Sequence, residues 1–361
     1  MPLRWKAAEF NPLEGTDLPK LHQSMPHCVF YLYGRDPKTG EIVGPHGTGV
    51  FVARKSKRNL GENHVYAVTN WHVACRGSSI IGINRSDSVR RFLEFDPSEW
   101  HFTGKGDDIA AIDITDHQET HDLVVTIHEE MFVTPEVIEQ FEIGPGEDTF
   151  MCGLFASHPG VTANVPAFRF GNISVLADVV APVEVETGAR RPCYLVDTRS
   201  RTGFSGSPVF SYRTVAGNLE AMPVTWKRDT KRGGIVSIGS VYDNFMGLLG
   251  IHCGQFWDTV KAFKTSAHKA ERLGEPLQDG DELDIQSSMT IVAPAWCISE
   301  TLDLEVFEVA RKKRDEDREG AARRRPRPES AAPQATDANP THREDFTRLV
   351  GAAARKPPQE D

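Results

Sequence analysis

The sequence predicts an all-β fold, a barrel or a sandwich, followed by a C-terminal helix and a disordered tail. Three observations carry this. Short segments dense in Val, Ile, Phe and Tyr recur between clusters of Gly, Pro, Asn and Asp through the first 300 residues. Long helical periods of apolar residues are few there. After Trp296 the text turns first to helical spacing and then to Ala, Arg, Pro and Ser. Many short strands at regular spacing with frequent turn residues point to packed antiparallel sheets.

Taken in order, residues 1–25 form an N-terminal extension with a charge every few positions and no signal-peptide apolar core. The strand-like segments are 29–33, 49–53, 65–70, 80–84, 109–114, 149–154, 173–176, 194–197, 208–212 and 248–253. The stretch 116–146 breaks their rhythm and reads as a connector between two β units, ending at the turn-rich Gly144-Pro145-Gly146-Glu147-Asp148. Ile298, Leu302, Val306, Val309 and Ala310 fall at helical spacing, which places a helix over 301–318. Residues 319–340 read as a disordered linker, too polar and proline-rich to bury a core. In 341–361, Phe346, Leu349, Val350 and Ala353 make one apolar stripe, with Thr341 as N-cap for Glu344. That island reads either as an amphipathic helix for a groove on a protein partner or on its own chain, or as a nascent helix with no partner.

The 361 residues hold 41 basic and 51 acidic side chains, a formal net charge of -10. From Arg311 onward 13 are basic and 10 acidic, so the tail is mildly basic and the first 310 residues carry -13. Nucleic-acid binding is disfavoured, because phosphate contacts need clustered Lys and Arg. The run Arg323-Arg324-Arg325-Pro326-Arg327 is interrupted by proline and surrounded by acids, so it reads as solvated linker. The longest apolar runs are far short of the ~18 residues that cross a bilayer, so no membrane span is expected and the default compartment is the cytoplasm. Six cysteines lie scattered without C-x-x-C spacing and mostly within apolar strand text, which favours buried free thiols over a zinc site or a disulfide framework.

Three segments carry chemistry when taken together. Gly47-Thr48-Gly49-Val50-Phe51-Val52 precedes Thr69-Asn70-Trp71-His72-Val73; then comes Gly106-Asp107-Asp108-Ile109-Ala110; last comes Thr202-Gly203-Phe204-Ser205-Gly206-Ser207-Pro208. A serine hydroxyl is a weak nucleophile at neutral pH and needs a base beside it. The base needs a carboxylate to fix its tautomer, and the reaction needs N–H donors for the developing oxyanion. A His, Asp, Ser order at these intervals supplies all of them.

These residues resemble the trypsin/chymotrypsin-like serine protease superfamily, in its intracellular and bacterial branch. Thr69-Asn70-Trp71-His72 resembles the T-x-x-H segment of the general base, Asp108-Ile109-Ala110 the D-I/L-A segment of the orienting aspartate, and Gly203-Phe204-Ser205-Gly206-Ser207-Pro208 the G-x-S-G-G/S-P segment of the nucleophile. The resemblance implies a peptidase domain over 26–300 made of two packed six-stranded antiparallel β-barrels, one over about 26–120 and one over about 144–300, joined by a connector at 121–143. It implies catalytic His72, Asp108 and Ser205, an oxyanion hole of the Gly203 and Ser205 N–H groups, protein or peptide substrates, and neither a metal nor an organic cofactor. The text Gly250-Ile251-His252-Cys253-Gly254 resembles glutamyl endopeptidases, whose histidine contacts an acidic substrate side chain, so Arg199, His252 and Gly254 are the candidate pocket. No activation sequence with a new apolar N-terminus is evident. Residues 213–245 read as a long charged insertion beside the pocket strand, which suggests activity triggered by a partner or substrate. The alternative is a catalytically silent trypsin-fold scaffold.

Overall fold

The computed structural model describes residues 21, 24–58, 62–84, 89–117, 125–198, 203–213, 236–238, 245–261, 271–272, 275–276 and 282–324. The first half contributes seven strands: β1 (Val29–Arg35), β2 (Ile42–Lys55), β3 (Asn63–Thr69), β4 (Ile80–Asn84), β5 (Arg90–Leu93), β6 (Ala110–Asp113) and β7 (Val125–His128). A one-turn helix α1 (Trp71–Ala74) follows β3, and α2 (Pro135–Phe141) lies in the connector, its N-terminus capped by the Thr134 hydroxyl. The second half contributes β8 (Asp148–Gly153), β9 (Ala167–Val175), β10 (Val183–Glu184), β11 (Arg190–Arg191), β12 (Tyr194–Asp197), β13 (Pro208–Arg213), β14 (Val236–Ile238), β15 (Phe245–Lys261), β16 (Glu271–Arg272), β17 (Glu275–Pro276) and β18 (Glu282–Pro294). Helices α3 (Ala295–Leu302) and α4 (Glu305–Arg324) follow.

The second half closes. Its strands run β12-β18-β15-β13-β8-β9, and β9 pairs back onto β12, so no edge remains. The first half does not close, against the expectation of two barrels. Strands β5-β4-β1-β2-β3-β6 pair in series, and β7 adds parallel to β2 with β14 beside it, giving an open eight-stranded sheet. The reason lies just past β5. Asp96-Pro97-Ser98-Glu99 turns the chain into a short 3-10 helix, with the Asp96 carboxylate accepting from Ser98 N at 2.9 Å. Strand β5 ends after four residues and does not pair with β6; past the turn the chain returns to β6 only at His101, which exchanges two hydrogen bonds of 2.8 Å with Ala111. Phe95 and Trp100 fill that gap, and the Trp100 indole donates to the Ser79 carbonyl at 3.3 Å.

Burial on both faces explains the unbroken apolar runs 29–33, 50–53 and 65–68 within β1 to β3. Phe30, Leu32 and Phe51 point into the first sheet's own core with Leu93, Phe95 and Trp100. Val29, Val50, Val52, Tyr66 and Val68 point the other way, into a shared core with Phe150, Phe210, Leu248 and Ile251 of the barrel. Both faces are buried, so the usual polar alternation disappears. The barrel interior holds Ile173, Tyr194, Val196, Phe204, Val209, Leu249 and Val292. Five of the six cysteines are buried and Cys75 is half-buried; all six are free.

The C-terminal segment forms two helices, broken at Asp303-Leu304, where one was expected over 301–318. The last carbonyls of α3 are left without helical donors. Arg311 donates to Leu302 O at 2.8 Å, and Arg54 of β2 donates to Leu302 O at 3.3 Å while forking onto Glu129 at 2.5 and 2.6 Å. Phe307 packs edge-on against Tyr66 with centroids 5.3 Å apart. Helix α4 runs to Arg324, six residues into the segment read as linker. The amphipathic island around Phe346 lies outside the described residues.

Candidate active site

His72 sits on α1, at the point where β3 leaves the sheet. Asn70 stays extended (φ -76°, ψ 143°) and its carbonyl accepts from Val73 N and Ala74 N, so the chain turns sharply and points His72 away from the first core. Asp108 precedes β6, which pairs with β3. The two residues meet in a double hydrogen bond. His72 N donates to Asp108 Oδ1 at 3.0 Å, and His72 Nδ1 lies 2.7 Å from Asp108 Oδ2. A carboxylate at that distance holds the proton on Nδ1 and leaves Nε2 as the basic nitrogen. The Asp108 backbone is tied to the same helix, its carbonyl accepting from Asn70 Nδ2 at 3.0 Å and Trp71 N at 3.3 Å.

Ser205 comes from the barrel, on a turn between Gly203 (φ 103°) and Gly206 (φ 83°), conformations open to glycine at little cost. Gly206 also lacks room: a Cβ there would lie 1.9 Å from the Thr48 carbonyl oxygen. Thr48 of β2 grips the turn from the first sheet. Its N–H donates to Ser205 O at 2.8 Å and its hydroxyl to Gly203 O at 2.9 Å, while its own carbonyl accepts from the Thr69 hydroxyl at 2.6 Å. From the barrel side, Gly206 N donates to His252 O, and His252 N to Ser207 O, each at 2.9 Å. The N–H groups of Gly203 and Ser205 meet no acceptor among the described residues. No hydrogen bond joins the Ser205 hydroxyl to His72 among the described residues; such contacts are commonly long before substrate binds.

Burial sets the electrostatics. Asp108 is almost fully buried, which pushes its carboxyl above the ordinary range against the pull of the His72 hydrogen bonds. Glu186 adds a smaller push in the same direction. His252, 3% exposed on β15, is pushed down to about 4, first by burial and then by the nearby His72. It is therefore neutral near pH 7, and its Nδ1 accepts from Gly254 N at 3.1 Å. Gly254 follows on the same strand, half-buried. Arg199 lies outside the described residues, as do 214–235 and 239–244 of the long insertion.

Two contributors carry no legible signal of their own. Thr48 sits in a quoted motif, but its grip on Ser205 joins positions more than 150 residues apart. Asp107 is buried and pairs with Arg191, whose Nε lies 2.5 Å from Asp107 Oδ1. In sequence it is only a neighbour of Asp108.

No protein-family model matches this chain, and no curated protein matches it. Among solved structures it is similar to the active form of the Rv3671c protease from M. tuberculosis, with 15% identity, a TM-score of 0.37, and 82% of this chain and 93% of that chain covered. The inactive form of that protease gives 15% identity and a TM-score of 0.35 over 77% of this chain and 89% of that one. The drosophila Grass clip serine protease of the Toll pathway gives 13% identity and a TM-score of 0.38 over 81% and 73%. At such values the likenesses carry no residue roles, and the functional reading rests on the geometry described above.

Proposed function

We propose that this protein is a serine endopeptidase working through an acyl-enzyme intermediate. The observation that carries the reading is the His72–Asp108 double hydrogen bond, set beside a glycine-flanked serine turn with two unused N–H groups. In this mechanism His72 Nε2 takes the Ser205 hydroxyl proton as Oγ attacks the scissile carbonyl, and returns it to the leaving amine. Asp108 stabilises the imidazolium that forms, while the Gly203 and Ser205 N–H groups bind the oxyanion. Water then enters by the same base and releases the acid. Substrates are proteins or peptides, and the chain acts in the cytoplasm.

A fluorophosphonate probe tests this directly. It forms a phosphorus–Oγ bond with loss of fluoride only where the serine is activated. Wild type should label and Ser205→Ala should not. The alternative reading is a silent scaffold of the same fold, or an enzyme awaiting its trigger. Folded wild type that stays unlabelled with candidate substrates and partners present would establish the scaffold.

For specificity, the candidate pocket is Arg199, His252 and Gly254. A neutral His252 brings no charge, so a preference for acidic side chains would depend on Arg199. Competing peptides that differ only in Glu, Lys, Phe or Leu before the cleaved bond decide it; best cleavage after Lys or Phe removes the acidic-pocket idea.

A further inference from the structure

The turn that carries Asp108 is strained. Asp108 lies at φ 52° and Gly106 at φ 83°, so two left-handed positions flank Asp107. Left-handed backbone costs energy at a non-glycine residue, less for Asp than for most, so the neighbours that hold it matter. On one side, Asn70 and Trp71 hold the Asp108 carbonyl, as described. On the other side the hold comes from the opposite half of the molecule. The hairpin β10–β11, inserted between β9 and β12, pairs Val183 with Arg191 and Glu184 with Arg190. Its turn is closed by Val185 N donating to Ala189 O at 3.0 Å. Thr187 Oγ1 donates to Gly106 O at 2.8 Å, and Arg191 Nε to Asp107 Oδ1 at 2.5 Å. A Cβ on Gly106 would lie 2.6 Å from the Ala189 Cβ, so the hairpin seats directly on the turn. Thr103 Oγ1 takes the second Asp107 oxygen at 3.2 Å, and Lys105 reaches Glu300 of α3 at 2.6 Å.

The two adjacent carboxylates are thus drawn to opposite partners, Asp107 to a guanidinium and Asp108 to an imidazole. Asp107 is 4% exposed, so without Arg191 its charge would lack its cationic partner in a buried site. The cheapest relief is rotation of the turn toward water, and that rotation carries Asp108 off His72. We propose that Arg191 is a positioning residue: its ion pair with Asp107 keeps Asp108 in the left-handed conformation that presents both carboxylate oxygens to His72. The consequence for activity rests on the peptidase reading; the geometric claim does not.

The test uses the full chain and two readouts. One is the rate of fluorophosphonate labelling against probe concentration, which separates the maximal rate from the half-saturating concentration. The other is the low-field proton NMR resonance of His72 Nδ1–H, which reports the bond to Asp108 whether or not the serine reacts. Arg191→Met should lose the resonance and drop the maximal rate about 100-fold, the usual cost of misplacing a catalytic group by about 1 Å, with little change in half-saturation. Arg191→Lys, which keeps the charge, should restore most of both. Should Arg191→Met fail to fold, Arg191→Gln, which also removes the cation and leaves Asp107 in place, is read instead. A folded variant that keeps the resonance, or labels at the wild-type rate, overturns the proposal. If wild type never labels yet shows the resonance, and Arg191→Met loses it, the peptidase reading fails while Arg191 keeps its positioning role.

Discussion

The turns carrying Ser205 and Asp108 both use left-handed backbone, yet they are held by different means. The Ser205 turn is gripped largely by main chain: Thr48 N on Ser205 O, Gly206 N on His252 O, His252 N on Ser207 O. Those bonds come with β2 and β15 and need no particular side chain at either strand. The Asp108 turn is held mainly by side chains, those of Asn70, Thr103, Thr187 and Arg191. The nucleophile's place is therefore a property of topology, and the orientation of the base a property of a few residues. Damage to the first should unfold the protein, while damage to the second should silence it with the fold intact.

Four variants probe that division. Asp108→Asn should have the largest effect, slowing probe labelling by about 10⁴-fold, because an amide facing Nδ1 imposes the wrong imidazole tautomer. Its thermal midpoint should hold or rise. Burial raises the Asp108 pKa in the folded state, so ionising it costs stability as pH rises through that value, and asparagine removes the cost. Gly206→Ala should do the reverse and act on the fold: with φ at 83° and a Cβ 1.9 Å from the Thr48 carbonyl, a loss of about 4 kcal/mol is expected by denaturant titration.

His252→Gln concerns acid sensitivity. The folded-state pKa near 4 lies below the ordinary 6.5, so the unfolded chain takes up a proton first as pH falls. Stability from this residue is complete above about 6.5 and lost on acidification toward 4, some ~3 kcal/mol over the window. Urea midpoints measured across that range should fall less steeply in the variant; an equal slope would assign the acid sensitivity to other groups. Thr48→Val should cost least, about 2 kcal/mol, by stranding Gly203 O and the Leu154 N–H that bonds the threonine hydroxyl at 2.9 Å. Normal stability in that variant would mean the Ser205 turn does not need the side chain at all.

What the sequence made legible follows the same line between local and distant interactions. All ten apolar segments lie in or overlap strands, because alternation and turn residues are written within a few positions. His72 and Asp108 do meet, and Ser205 does sit on a glycine-bounded turn. The open first sheet was not legible, since closure depends on how the chain travels from β5 to β6, where only the His101–Ala111 bridge joins them. The Asp107–Arg191 pair spans 84 positions and has no local signature. Helix α4 outran its apolar period because Glu, Lys, Arg and Ala favour helix on their own, aided by pairs such as Glu308–Lys312.

The order of strands around the barrel bears on how the protein is made. Strand β18 pairs with both β12 and β15, yet it is the last of the barrel strands along the chain. A nascent chain therefore carries two unpaired sheet edges, on β12 and β15, until residue 294 clears the ribosome. A polypeptide released before that point would present both edges to its neighbours, the usual route to aggregation. Release of soluble product should accordingly switch on abruptly in a series of C-terminal truncations, at the point where β18 becomes complete.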